Sequence, residues 1–375
     1  MKLDVEYLGI LTPQEIKELR EAGRGGQTHP VVKLALEEKP KPQVATNTEM
    51  AARQVFEKNE TWLKNLRHRL LATDDFTQAS SALGEIRASG ALLETWMNVT
   101  PAPSVPGSNV SPEFEVDGND GTVIVEVHSR QLDNAQVAEL AGHHAALEKK
   151  HAAAIEKARE SGRKGNVVTS RVHEVFPTGA PSPNKPGDSV LTNTISRIAR
   201  IKENEKQIDP AKPFLLWLDL QDPTVWASPI SDQLFRPLYT KIKNGYVGSG
   251  PFWFALYGRK GGSLIESRGY DYRSTPMAHE GRFYQTMKSH GGPTRVSAVV
   301  YASPKATILM ENPNSEHPLP PRFRAALLKA PFFRLDLSVI DWEPDLVARS
   351  VELQYDSILA TERALTKFDP LDTDE

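Results

Sequence analysis

The chain contains no cysteine among its 375 residues. Disulfide bonds, thiolate metal ligands and cysteine nucleophiles are therefore excluded. The absence of cysteine fits a reducing compartment, so we expect a cytoplasmic location. The opening residues from Met1 to Glu6 lack a basic segment followed by an apolar one. No stretch reaches the roughly 20 apolar residues that a membrane span needs, so we expect neither a signal peptide nor a membrane partner.

The sequence also lacks an excess of positive charge. It has 45 lysines and arginines against 48 aspartates and glutamates, which gives a net charge of −3. A protein that holds nucleic acid mainly through its phosphates is usually more basic. Any surface for nucleic acid must therefore be a local patch. A hydrophobic content of 39% is enough to form a substantial core.

Two familiar site motifs are missing. The glycine-rich segment Gly258–Gly262 lacks the spacing of a phosphate-binding loop, and we predict that it is a hairpin turn between strands at 252–257 and 263–267. The chain contains no Gly-x-Ser-x-Gly sequence, which argues against a serine hydrolase. Neither a nucleotide cofactor nor a serine nucleophile is expected.

The order of helical and strand patterns predicts an α/β protein with an N-terminal helical extension. We divide the chain into an N-terminal arm and helical extension (1–72), an α/β domain (73–343) and a C-terminal helix with an acidic tail (344–375). Helices are predicted at about 12–19, 47–71, 77–97, 132–160, 189–207, 322–329 and 344–365. Strands are predicted at about 110–116, 122–128, 167–175, 213–220, 252–257, 295–302 and 306–310.

Two acidic residues, Glu85 and Glu126, fall where a core is expected, and two more lie on the strand before Glu126. On the helix at 77–97, Glu85 lies within a broad apolar face that includes Leu83 and Ile86, and a carboxylate facing a core needs a cation or hydrogen bonds. Strand alternation puts Glu113 and Glu115 on one face of the first hairpin strand. Glu126 projects from the second strand between two valines. Pairing of these strands would bring Glu113 or Glu115 close to Glu126.

Clustered carboxylates repel one another unless a cation compensates, and oxygen ligands of this kind suit Mg²⁺ or Mn²⁺. The alternative for Glu85 is a carboxylate at the edge of the apolar face that reaches water or an arginine. Both interpretations remain open from the residues alone.

Other polar groups are weaker candidates. His144 and Glu148 lie one helical turn apart, but no third ligand is apparent, and a solvated face explains them better. The same helix carries several basic side chains and could contact phosphates. Asp219, Gln221 and Asp222 follow the apolar strand at 213–220, where they either line a site or begin a turn.

The segment that contains Glu85, Glu113 and Glu126 resembles the catalytic core of the PD-(D/E)XK nuclease-like superfamily. Members of that family have a helix bearing a glutamate, a hairpin that begins with Pro-Asp, and a next strand carrying Glu-x-Lys. The matching segments here are Ala82–Ile86, Ser111–Val116 and Val123–His128. The resemblance covers about 50 of the 375 residues and implies a restriction-endonuclease-like mixed central sheet flanked by helices.

This resemblance also implies a function. The residues that would hold Mg²⁺ or Mn²⁺ are Glu85, Glu113 and Glu126. Those that would act in catalysis are Glu113, Glu126 and His128. The residues best placed to contact nucleic acid are Arg130 and Gln131. The chain departs from the family at two positions, with Glu113 in place of the usual aspartate and His128 in place of the usual lysine.

The expected function is hydrolysis of nucleic-acid phosphodiester bonds, with DNA favoured over RNA as the substrate. The alternative is a catalytically inactive nuclease fold that serves as a binding or assembly module. A homo-oligomer or a partner protein is compatible with either function.

Overall fold

We describe the protein from a computed structural model. The residues described are 7–22, 28–35, 43–95, 97–102, 112–118, 120–129, parts of 142–160, 209–221, 238–242, 245–249, 255–258, 260, 263–268, 271–276, 280–286, 293–302 and 307–329. The predicted strand at 167–175 and the predicted helices at 189–207 and 344–365 lie outside them. The described residues between 142 and 160 are helical, in agreement with the helix predicted there.

The N-terminal region is helical. Its helices are α1 (Pro13–Glu21), α2 (Pro30–Leu34), α3 (Gln43–Asn65), α4 (Arg67–Leu70) and α5 (Phe76–Leu93). Thr12 caps α1 in a capping box with Glu15, and Asp75 caps α5 by accepting a hydrogen bond from the amide of Thr77 at 2.9 Å. Helix α2 was not predicted, since its five residues fall in a segment that we expected to be an extended arm.

Ten strands follow in the described part of the chain. They are β1 (Asn98–Pro101), β2 (Phe114–Gly118), β3 (Gly121–Ser129), β4 (Phe214–Asp219), β5 (Leu238–Ile242), β6 (Gly245–Ser249), β7 (Ser263–Arg268), β8 (Asp271–Pro276), β9 (Ala298–Ala302) and β10 (Thr307–Glu311). A 3-10 turn covers Arg282–Tyr284, and helix α6 covers Pro321–Lys329.

The central feature is a six-stranded mixed sheet in the order β1-β2-β3-β4-β9-β10. The β1, β2 and β3 strands are antiparallel, β3, β4 and β9 are parallel, and β9 pairs antiparallel with β10. Every residue of β4 is buried, as expected of an apolar strand in the middle of a sheet covered on both faces. The predicted α/β class is therefore confirmed.

The β2–β3 hairpin sets the register at the candidate site. Its turn is closed by a hydrogen bond from the Thr122 hydroxyl to the Asp117 carboxylate at 2.6 Å. Gly121 has a φ of 148°, a conformation that favours glycine. The pairing of Phe114 with Val125 places Glu113 beside Glu126 at the open end of the hairpin.

Helix α5 lies between two layers. Its residues Ala88 and Leu92 pack against the sheet in the core that also contains Val125 and Trp217. Its residues Leu83 and Ile86 belong to a second core, formed with the N-terminal helices. Because both sides are covered, almost the whole of α5 from Ala79 to Leu92 is buried.

Three sequence predictions need correction. Residues 255–257 are helical, so the described part of the apolar run at 252–257 is not in the strand that we predicted. Strand β7 pairs with β8, so Gly258–Gly262 is not the turn of a hairpin with the preceding segment. Strand β1 was missed, because the prolines around it suggested a loop. The strand pair at 295–302 and 306–310 and the helix at 322–329 are confirmed, with bounds shifted by a few residues.

Candidate active site

The carboxyl groups of Glu113 and Glu126 form the centre of the site. Burial raises the pKa of Glu113, and a hydrogen bond between its carboxyl group and that of Glu126 partly offsets that effect. The Glu113 carboxylate also accepts a hydrogen bond from the backbone amide of Val127 at 2.9 Å. Glu126 is buried on β3. The hairpin register therefore joins two acids that are 13 residues apart in sequence.

Glu85 approaches this pair from helix α5. It is buried, and its negative charge contributes to the raised pKa of Glu113. Its two carboxylate oxygens accept hydrogen bonds from the guanidinium of Arg69 at 2.7 and 2.8 Å. The Glu85 carboxylate is thus near the acid pair, and an arginine from α4 neutralises it. Sequence analysis left open both a metal and an arginine as its partner, and the structure supplies the arginine.

His128 lies on the solvent side of the same site. Its imidazole Nε2 is 3.9 Å from a carboxylate oxygen of Glu126, and its side chain is 42% exposed. The two residues lie on the same face of β3, as strand alternation predicted. The structure therefore brings Glu113, Glu126 and His128 together, and the charge of Glu85 acts on Glu113. Arg130 and Gln131 lie outside the described residues.

The other candidate acid of the hairpin, Glu115, has a different partner. It forms an ion pair with Lys212, and the hydrogen bond from Lys212 to Glu115 raises the pKa of that lysine. Of the two alternatives that the strand pattern left open, Glu113 is the one beside Glu126.

Asp219 and Arg87 form a buried ion pair next to this cluster. The Asp219 side chain is completely buried at the end of β4 and accepts a hydrogen bond from Nε of Arg87 at 3.2 Å. Arg87 also contacts the hydroxyl of Thr48 at 3.4 Å. A helical wheel would place Arg87 on the polar side of its helix, but Arg87 is buried because α5 is covered on both sides. Asp219 follows five buried strand residues, Phe214–Leu218, and this burial was the signal that it needs a cationic partner.

Sequence reasoning also missed Arg69 and Lys212. Arg69 lies 16 residues from Glu85 along the chain and Lys212 lies 97 residues from Glu115, and no local pattern links either pair. His143, His144 and Glu148 lie outside the described residues. Within the part of the chain that is described, no group of three or more histidines, aspartates or glutamates has the arrangement of a metal site.

No family model matches this chain, and neither a curated protein nor a solved structure matches it. None of the helices in the described ranges is sufficiently long and apolar to cross a membrane.

Proposed function

We propose that the protein is a metal-dependent, nuclease-like hydrolase of nucleic-acid phosphodiester bonds, with Glu113 and Glu126 at its centre. The observation that supports this proposal is the hydrogen-bonded, largely buried pair of carboxyl groups, with the charge of Glu85 nearby. Two such groups can stay together only with a shared proton or a cation between them. The mixed sheet flanked by helices is also the architecture that the nuclease-like resemblance implies.

The acid pair fits a hard divalent cation. Mg²⁺ commonly binds one or two carboxylates and completes its coordination with water and substrate phosphates. Glu113 and Glu126 would supply two such carboxylates, whereas Glu85 would first have to leave Arg69 to become a third ligand. A bound cation would polarise the phosphoryl oxygen and lower the pKa of the attacking water.

His128 is suited to proton transfer in this site. Its half-exposed imidazole has access to water and lies close to Glu126. Neutral imidazole accepts a proton near pH 7, which a protonated lysine at the same position could not do. In this proposal His128 takes a proton from the attacking water, and positive charge at the phosphate comes from other groups.

The test is a cleavage assay with plasmid, single-stranded DNA and RNA in Mg²⁺ or Mn²⁺. Glu126→Gln keeps the shape of the side chain and removes its charge, and we expect cleavage to fall by about 100-fold or more. Glu115→Gln is the matched control, since Glu115 lies on the same hairpin but pairs with Lys212. Equal cleavage by the wild type and the Glu126→Gln variant would contradict the proposal.

The second candidate is a nuclease fold that binds nucleic acid or a partner protein without cutting. The bidentate Arg69–Glu85 pair favours it, because this pair occupies the third acid of the cluster. The presence of His128 in place of the family's lysine points in the same direction. Binding of DNA in EDTA, with no cleavage in either metal, would support this module over the enzyme.

A further inference from the structure

His29 is completely buried where α2 meets the turn that leads from α4 to α5. Its Nε2 lies 3.1 Å from the carbonyl oxygen of Ala72, and its Nδ1 lies 3.3 Å from the backbone nitrogen of Val31. The ring also packs at a steep angle against Phe76, the first residue of α5, with 4.8 Å between the ring centroids. One side chain therefore joins α2 to the start of α5.

The two hydrogen-bond partners of the ring fix its protonation state. A backbone amide can only donate a hydrogen bond, so Nδ1 of His29 must carry no proton, and a carbonyl oxygen can only accept, so Nε2 must carry one. A second proton would place an N–H at Nδ1 against the N–H of Val31 and would put positive charge in a site without access to solvent. The arrangement is therefore compatible only with the neutral imidazole.

Helix α2 depends on this histidine for its first turn. The helix has only five residues, and Pro30 at its first position has no amide hydrogen. The ring of His29 accepts the hydrogen bond of the Val31 amide, and the backbone carbonyl of His29 accepts that of the Lys33 amide at 3.1 Å. A helix this short is not stable in water by itself. Loss of the ring contacts therefore removes much of what keeps α2 in place.

Helix α2 in turn covers part of α5. Val31, Val32 and Leu34 are at most 2% exposed. They belong to the same core as Leu83 and Ile86 of α5. A change that releases α2 would therefore expose this side of α5 to water.

We propose that His29 is an acid-sensitive latch, whose neutral ring holds α2 against α5 and whose protonation releases α2 while the central sheet stays folded. This inference goes beyond the proposed function and does not depend on the acid cluster. Burial lowers the pKa of His29 from its usual 6.5, and the hydrogen bond to Ala72 opposes that shift. Because the released ring has the higher pKa, the latch is closed above about pH 6.5 and opens as the pH falls below that value.

The other charged groups around this latch do not account for its protonation. The shift in the pKa of His29 has burial and the Ala72 carbonyl as its causes, and no neighbouring charge contributes. The charged or titratable residues on the surrounding elements are Glu15, Lys17, Glu18, Arg20 and Glu21 on α1, Lys33 on α2, Arg67, His68 and Arg69 on α4, Asp74 and Asp75 before α5, and Glu85 and Arg87 on α5. His68 is the other histidine of this set and is exposed, which makes it a matched control.

The test is hydrogen–deuterium exchange of the full chain at about pH 7.5 and about pH 5.5, with the rates corrected for the effect of pH on chemical exchange. We expect the protection of the segment 28–35 to fall about threefold to tenfold at the lower pH, where the upper limit reflects one pH unit below the usual histidine pKa. Peptides that cover β3 and β4 should keep their protection. This comparison uses the wild type alone, so it does not depend on the folding of a variant.

His29→Asn assigns the effect to the ring. Asparagine can still cap α2 but does not titrate, so the corrected exchange of 28–35 should be the same at both pH values. His68→Gln should behave like the wild type. Equal protection of 28–35 at both pH values in the wild type would overturn the latch, as would a pH-dependent loss that persists in His29→Asn. An equal loss in β3 and β4 would indicate global unfolding and would also overturn it.

Discussion

Arg87 and Asp219 show at the scale of single residues how buried charge shapes this protein. Both side chains are almost inaccessible to solvent, and the pair joins helix α5 to the end of strand β4. Gly84 lies directly over the same position, where an added Cβ would be 2.8 Å from a carboxylate oxygen of Asp219. The ion pair and the glycine together fix α5, and with it Glu85, at the carboxyl ends of β3 and β4.

Removal of one member of this pair should be strongly destabilising. Asp219→Leu leaves the guanidinium of Arg87 buried without its carboxylate, and we expect the free energy of unfolding to fall by about 3–5 kcal/mol. The double variant Arg87→Met with Asp219→Leu should lose less than Asp219→Leu alone. Denaturant titrations check this prediction. The control is Glu60→Ala in the exposed Glu60–Lys64 pair, which should change the free energy of unfolding by at most about 1 kcal/mol. If the double variant loses as much stability as the two single substitutions lose in sum, the account is contradicted.

A second residue-scale prediction concerns His29. Burial lowers the pKa of His29 from its usual 6.5, and a hydrogen bond from its Nε2 to the carbonyl oxygen of Ala72 opposes that shift. Its Nδ1 accepts a hydrogen bond from the amide of Val31 at 3.3 Å, so the folded protein needs the neutral ring. Since the folded pKa lies below the unfolded one, the stabilisation is complete above about pH 6.5 and is lost as the pH falls through the folded pKa.

Unfolding measured between about pH 8 and pH 5 checks this dependence. His29→Gln should remove the part of the decrease in the free energy of unfolding at low pH that is due to this histidine. His68→Gln is the control, since His68 is exposed and bonds only to a local carbonyl oxygen within the described residues. If the free energy of unfolding falls equally at low pH in wild type and in His29→Gln, His29 does not titrate as proposed.

At the scale of elements, helix α5 explains where sequence patterns succeed and where they fail. Its start at Asp75 and its apolar content were predictable from capping and periodicity. Its burial on both sides was not, because a helical wheel assumes one solvent face and cannot register a second layer of helices. That assumption would place Arg87 in solvent, whereas it is buried, and it gives no sign that Arg69 pairs with Glu85.

The close crossing of α3 and α5 gives the element-scale prediction. A Cβ added at Gly90 would collide with the main chain of Ala51, at 2.8 Å from its carbonyl oxygen. We expect Gly90→Ala to lower the free energy of unfolding by about 1–3 kcal/mol, because two packed helices would have to separate. Gly142→Ala is the matched control, since a Cβ there meets nothing within 4 Å. Gly142→Ala should be neutral or stabilising by up to about 1 kcal/mol. An equal effect of the two substitutions would contradict the packing described.

At the scale of the whole molecule, the sheet brings together acids that the chain keeps apart. The hairpin that joins Glu113 to Glu126 was predictable, because turn residues and strand alternation are local signals. The residues that surround these acids were not predictable from the sequence. The pairing of β3 with β4, the crossing of α5 and the arrival of Arg69 and Lys212 all depend on contacts distant in sequence. Local patterns fix the elements, whereas the partner of each buried charge depends on how those elements pack.

The central claim is that Glu113 and Glu126 form one divalent-cation site. Its most direct test is a calorimetric titration of Mn²⁺ into wild type and Glu113→Gln. The titration is run in two buffers of different ionisation enthalpy, so that proton release can be measured. We expect wild type to bind one Mn²⁺ and release protons on binding, because burial raises the pKa of Glu113 and a cation would displace a proton from that carboxyl group. We expect Glu113→Gln to lose the binding. Absence of Mn²⁺ binding by the wild type, or unchanged binding by Glu113→Gln, would contradict the account.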